Sequence, residues 1–144
     1  MLTGQIIARL KAGVPDLGNR VEGAGAWAAL MRSGGAPQAA LVAHVVATGM
    51  AGGAALPLTG VYRQPVDRLV AVVLTTNTGH AQGGRMIDQI ETLIDAIIAA
   101  LAGWQPDGAV GVMIFRRSQL LDATGGVFRH EITFSTEHEL RIFA

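Results

Sequence analysis

Apolar residues recur at helical spacing in two stretches of the chain and run almost unbroken in three others. Leu2, Ile6 and Leu10 stand four apart with Ile7 beside them, so residues 2–12 predict an amphipathic helix, stopped by Gly13, Pro15 and Gly18. The clearest stripe is Met86, Ile90, Leu93, Ile97 and Leu101, widened by Ile87, Ile94 and Ile98. Asp88, Glu91 and Asp95 occupy the other side. This spacing predicts a helix over 84–101, ended by Gly103 with Pro106 beyond it. Between the two, "AWAALMRSGG" predicts one or two helical turns, with Trp27 and Leu30 as anchors against a sheet.

The strand signals are of a different kind. Residues 39–47 are a β-branched run behind Pro37, and 67–76 are the stronger part of a second run in which Pro65 marks a bulge or an edge. "NRVEGA" predicts a short strand. "AVGVMIF" and "VFRHEITFS" predict a C-terminal β-hairpin, and the two glycines of the connecting "DATGG" suit a tight turn with positive φ. "LRIF" is a candidate final strand. Residues 48–64 show no periodicity and many small residues, and read as a flexible loop or a loose hairpin arm. The pattern implies one domain over 1–144. Its class is α/β in the α+β sense: a small mixed, mostly antiparallel β-sheet packed against two main helices.

Three predicted strands, "AALVAHVVA", "LVAVVL" and "AVGVMIF", are apolar on both faces, which requires cover on both sides. The 84–101 helix can cover one face, and the first helix with the Trp27 segment part of the other. Some apolar strand surface is left for another copy of the molecule. Composition points the same way: half the residues are hydrophobic and 15% are charged, against about a quarter charged in a typical soluble domain.

Charge and chemistry narrow the function. The formal net charge is zero, so the phosphate-neutralising excess of a duplex-DNA binder is missing. Without cysteine there is no disulfide scaffold and no thiolate chemistry. The N-terminus does not read as a signal peptide, and residues 33–62, though free of Asp, Glu, Lys and Arg, are too interrupted by Pro37, His44 and Pro57 to span a membrane. Residues 79–86 follow a strand and precede a helix with Gly-x-x-x-x-Gly spacing, as a phosphate loop does. Yet Arg85 stands where lysine is needed and Met86 where a magnesium-binding hydroxyl is needed. The flanking hairpins also argue against a parallel sheet. His44, His80, His130 and His138 are scattered without metal-ligand spacing, and His130 alternates with Phe128, Ile132 and Phe134 on an apolar face. Ser33, Ser118 and Ser135 lie in no nucleophile elbow. The reading is of a protein that is not an enzyme, with no catalytic, cofactor or metal site. Its expected contact residues are Met50, Leu56 and Leu58 in the 48–60 stretch, together with Asp67, Arg116, Arg117 and Arg129.

The order of features resembles a known family. It runs from an N-terminal helix to "NRVEGAGAWAALMRSGGAPQAALVAHVVATG", a variable loop, "YRQPVDRLVAVVLTTNT", a helix closing in "LIDAIIAALAGWQPDG", and "GGVFRHEITFSTE". This is similar to the tail terminator, or tail completion, proteins of long-tailed bacteriophages and related prophage elements. The most characteristic parts are "RVEGA", "PQAALV" and "AALAGWQPDG". The resemblance implies a six-membered ring that caps the tail tube, ends its polymerisation and offers the surface to which the head joins. It implies as partners further copies of the chain, the tube protein and a neck or head-completion protein, with DNA passing through unbound. It places the protein in the virion tail, assembled in the bacterial cytoplasm, with no membrane contact, no cofactor and no enzyme activity. A neck connector or tube-like subunit is the alternative, and a small nucleotide-binding enzyme using the glycine loop is a weaker one.

Overall fold

The computed structural model describes residues 1–79 and 87–143. Among the described residues three helices, α1 (Leu2–Gly13), α2 (Ala24–Arg32) and α3 (Ile90–Leu101), accompany six strands: β1 (Val21–Glu22), β2 (Leu41–Gly52), β3 (Leu56–Leu58), β4 (Val61–Asn77), β5 (Ile114–Thr124) and β6 (Val127–Phe143). The strands form one sheet in the order β1-β2-β4-β6-β5, with β3 paired to β4. Only β1 with β2 is parallel; every other pairing is antiparallel. This is the expected α+β architecture.

The unbroken apolar runs do what their composition requires. Leu41 to Val45 of β2 and Val70 to Thr76 of β4 are buried without alternation, because the sheet is covered on both faces there. One face holds the main core. Val70, Val72 and Leu74 meet Ile132 and Phe134 of β6, and Ile6 and Leu10 of α1 pack on them together with Leu93, Ile97 and Leu101 of α3. The first helix therefore lies on the same face as the long one, not on the opposite face. Amphipathicity specified its buried stripe but not which face of the sheet would receive it. On the other face, among the described residues, α2 provides cover near β2, and its Trp27 ring sits 5.3 Å from that of His44.

At the C-terminal hairpin, Gly125 and Gly126 have φ of 62° and 78°, and Thr124 pairs with Val127. A two-residue turn with both φ positive matches the right-handed twist of the strands, and glycine adopts it without strain. "LRIF" is the end of β6 rather than a separate strand.

Two strand expectations need correction. "AVGVMIF" is not a buried strand: β5 begins only at Ile114, and residues 109–113 form an irregular segment beside β6. There Val110 and Gly111 donate their backbone N–H groups to the Glu137 carbonyl, and of the segment's large apolar side chains only Met113 is buried. The 48–64 stretch is largely strand, not loop. β2 continues to Gly52, with a bulge between Ala47 and Gly49, and pairs with β4 as far as Gly52 opposite Val66. β3 then takes over as the neighbour of β4, with Leu56 opposite Arg63. Pro65 falls at the change of neighbours, where its missing N–H breaks no ladder bond to β2. The 84–101 helix is regular from Ile90, after helical Ile87 and Asp88 and a turn at Gln89. Its expected first residues 84–86, and the glycine loop beyond Gly79 with His80, Arg85 and Met86, lie outside the described residues.

Candidate assembly surface

β4 and β6 each have 17 residues and pair along their whole length, from Val61 opposite Phe143 to Asn77 opposite Val127. At roughly 3.3 Å per residue such a ribbon is about 55 Å long. α3 has 12 residues, which at 1.5 Å per residue gives a rod of about 18 Å. The helices therefore cannot cover the ribbon. They cover its root, Val70–Asn77 with Val127–Thr136. The remainder, Val61–Leu69 with Glu137–Phe143 and the flanking end of β2 and β3, stands out as an arm.

Cross-strand partners share a face, so the register sorts the arm's side chains. One face continues the core face. It carries Tyr62 opposite Ile142, Gln64 opposite Leu140 and Val66 opposite His138. Tyr62, Leu140 and Ile142 are exposed, with Ile142 at 52%. The other face is charged: Arg63 is opposite Arg141, and Asp67 is opposite Glu137. Like charges directly opposite one another are unfavourable. The arm's only ion pair among the described residues is a loose one, Arg63 Nε to Glu139 Oε1 at 3.7 Å. The tip is tied internally: Tyr62 Oη donates to Gln64 Oε1, and Gln64 Nε2 to the Gly53 carbonyl, each at 2.8 Å.

A second apolar area borders β5. Val110, Val112, Ile114, Leu120 and Leu121 are each more than 40% exposed. Register shifts at Phe115/Arg117 and Leu120/Asp122 leave Arg116 and Leu121 as extra residues in bulges. Bulges and arginines on an edge strand discourage uncontrolled strand addition.

The expected contact residues divide accordingly. Met50, Leu56 and Asp67 lie exposed on the arm, and Leu58 lies in β3 opposite Val61. Arg116 and Arg117 are exposed on β5; Arg116 Nε donates to Ser135 Oγ at 2.7 Å, and Arg117 donates to Gln119 Oε1. Arg129 is set differently. It is 13% exposed, pairs with Asp122 at 2.7 Å and donates to the Gly35 carbonyl at 2.8 Å, so it fastens the chain to itself. Gly35 has φ of 82°, and a Cβ there would collide with the Arg129 guanidinium. Sequence reading missed Tyr62, Leu140 and Ile142. The signal was the apolar–polar alternation of "ELRIF", which implies a face needing cover.

Elsewhere a cavity of about 440 Å³ lies between α2 and β2, bordered by Arg20, Glu22, Leu30, Pro37 and His44. His44 is buried, with Nε2 3.7 Å from Glu22 Oε2 and with Nδ1 unpaired. Burial pushes its pKa below the usual histidine value, against a smaller upward pull from Glu22. His130, facing Leu74 and Leu120, is lowered by burial as well. Among the described residues no group of His, Asp and Glu has the makings of a metal site, and no helix is long and apolar enough to cross a membrane.

The model of the family described as "Phage tail terminator protein" matches residues 1–144. The chain belongs to the phage tail terminator family. This tail terminator is thus a structural protein of a phage-type tail. Among solved structures, a chain of the "Virion of native gene transfer agent (GTA) particle" matches it with a TM-score of 0.55 at 17% identity, over 96% of this chain and 95% of that one. At that identity the likeness speaks for the fold. No curated protein matches.

Proposed function

We propose that this terminator closes into a ring, with six copies as the resemblance implies, that caps the tail tube, halts its polymerisation and presents the surface to which the head joins. The observation that carries the reading is the bare arm. A family member whose sheet extends about 30 Å beyond its own helix cover carries apolar surface that a monomer does not bury. Burial of such surface drives association. Two apolar areas that do not overlap favour head-to-tail contacts, which generate rings when the rotation closes. The zero net charge suits a lumen through which DNA moves without being gripped, because a basic lining would bind phosphates tightly.

The test is direct. Purified protein is mixed with tail tubes assembled without it and viewed by electron microscopy. Ring-shaped density at one tube end, with tube growth arrested, is the expected result. Tubes that stay uncapped and keep lengthening at saturating protein would refute the reading.

A further inference from the structure

We propose that α2 is a hinged strap over His44, released when the imidazole takes up a proton. The device lies within one chain and requires no second copy.

Three observations carry it. First, α2 is tied at both ends and loosely seated between them. Ahead of it, Ala43 donates its N–H to the Arg20 carbonyl; behind it, the Gly35 carbonyl accepts from Arg129. Yet none of its nine residues is buried, no side chain caps its N-terminus, and the cavity of about 440 Å³ separates part of it from β2. Gly23 precedes the helix, and Gly34 and Gly35, with φ of 101° and 82°, follow it. A segment with so little buried surface, flanked by glycines, opens at low cost while the sheet stays folded.

Second, what α2 covers is a polar group. His44 is 2% exposed, with the Trp27 ring against it. Its Nδ1 is buried without a hydrogen-bond partner, and Nε2 reaches only Glu22 Oε2, at 3.7 Å. In the neutral ring one nitrogen is an acceptor that simply goes unused. In the imidazolium both nitrogens are donors, and under the closed strap Nδ1–H has nothing to donate to. Swinging α2 away gives it water.

Third, the charges around His44 do not hold an imidazolium in place among the described residues. Glu22 on β1 is 51% exposed, so water screens its pull, and Arg20 beside the cavity repels. β2 has no other titratable group, and residues 33–40 have none. On α2 only Arg32, in the last turn, is charged. β4 presents Val73 opposite His44. Beyond it on the same face, two strand spacings or about 10 Å away, β6 carries Glu131 opposite Val73 and Arg129 opposite Thr75. Gln119 engages the first and Asp122 the second. Burial therefore outweighs Glu22 and keeps the ring's pKa low while the strap is closed.

The closed form thus binds the proton more weakly than the open form, whose solvated ring returns toward the ordinary value of about 6.5. Opening takes up one proton. Its equilibrium constant is flat above that value and rises by up to about tenfold per pH unit below it, until pH reaches the closed value.

Amide hydrogen exchange of the whole chain, resolved by NMR between pH 7.5 and pH 5 and corrected for intrinsic rates, tests this. The N–H groups of residues 27–33 should be less protected than those of α3, and their protection should fall by about threefold or more from pH 7 to pH 5. His44→Gln, neutral at every pH, removes that fall. Trp27→Ala, at a half-buried helix position, lowers the protection of α2 at every pH and weakens the fall. His130→Gln leaves it unchanged. Equal protection of α2 and α3 at every pH overturns the inference, because only global unfolding then uncovers His44. Protection of α2 that ignores pH overturns it too, since the helix then frays without uncovering the ring. So does a fall that persists in His44→Gln or vanishes in His130→Gln. Should His44→Gln fail to fold, a fall undiminished in Trp27→Ala has the same consequence.

Discussion

The two ends of the β4–β6 ribbon use the same backbone pairing for opposite purposes. At the root, Val70 to Thr76 are buried without a gap, and Ile132 and Phe134 sit against α1 and α3 with no exposed surface. In the arm, hydrogen bonding continues residue by residue, yet Asp67 to Leu69 and Glu139 to Phe143 are exposed. Strand pairing is therefore not what distinguishes core from arm. The difference is helix length: two 12-residue helices reach only part of a 17-residue ribbon. The side chains follow that boundary. The root has an apolar core face and a second face that mixes Ala71 and Val73 with Thr75, Arg129, Glu131 and Thr133, while the arm has one face led by Tyr62, Leu140 and Ile142 and one that is largely charged. A root has its cover within the chain, and an arm of this composition has its cover elsewhere.

The sharpest way to break the comparison is at Phe134, fully buried in the root with its ring edge-on to Phe115 at 6.1 Å. Phe134→Ala removes a large ring from a site that neighbouring strands and helices hold open. It is expected to cost about 3–5 kcal/mol in urea-induced unfolding. A loss below about 1 kcal/mol would mean that the root is loosely packed and that the division drawn here is wrong.

Much of the root was legible in the sequence, and much of the arm was not. "LVAHV" and "VAVVLTT" announce buried strands because only a doubly covered sheet hides such runs. The glycine pair at 125–126 announces its turn for an equally local reason. The strand from Thr48 to Gly52 has no such signature. Its small residues have weak strand preference, and it is held by β4 residues 66–69, a long-range pairing that overrides local propensity. Residues 109–113 fail in the opposite sense. Their valines suggest a strand, but Gly108 with φ of 83° and bonds from Met113 N–H to the Trp104 carbonyl and from Gly103 N–H to the Met113 carbonyl fold the segment back on the end of α3. Arg129 could not be assigned from sequence at all, since its carbonyl partner Gly35 lies 94 residues away. The surplus of apolar surface lies only partly where the sequence put it: Leu41–Val45 and Val70–Leu74 are covered, whereas Val110, Val112 and Ile114 of "AVGVMIF" are exposed, and the rest lies on the arm and along β5.

A smaller effect probes the second cover of the root, where α2 shields His44. Its pKa is depressed in the folded chain, so the fold prefers the neutral ring. The unfolded chain then binds the proton more readily. The stability tied to this preference is fully present above the unfolded value of about 6.5 and is lost as pH falls below it toward the folded value. Melting temperature is expected to decline from pH 7 to pH 5, with a contribution from one histidine no steeper than about 1.4 kcal/mol per pH unit. His44→Gln should flatten part of that slope and leave the part of the same sign that His130 supplies. A variant whose slope equals the parent's would remove His44 from the account and mean that α2 does not seal that face in solution.

The smallest effect on the monomer is expected in the arm. Ile142→Ser exchanges an exposed apolar side chain for a polar one on a face that no helix among the described residues covers. The urea midpoint of the dilute, unassembled protein should therefore move by less than about 0.5 kcal/mol equivalent. The value of this null lies in its pairing with Phe134→Ala. Both positions lie on β6 and on the same face of the sheet, eight residues apart and so about 26 Å along the strand. If Ile142→Ser proved as costly as a core deletion, the arm would be folding back onto its own helices in solution, the ribbon would have no bare end, and the need for a second copy to cover it would disappear. If it costs nothing in the monomer yet weakens assembly, the apolar face of the arm is present for a contact made only between chains.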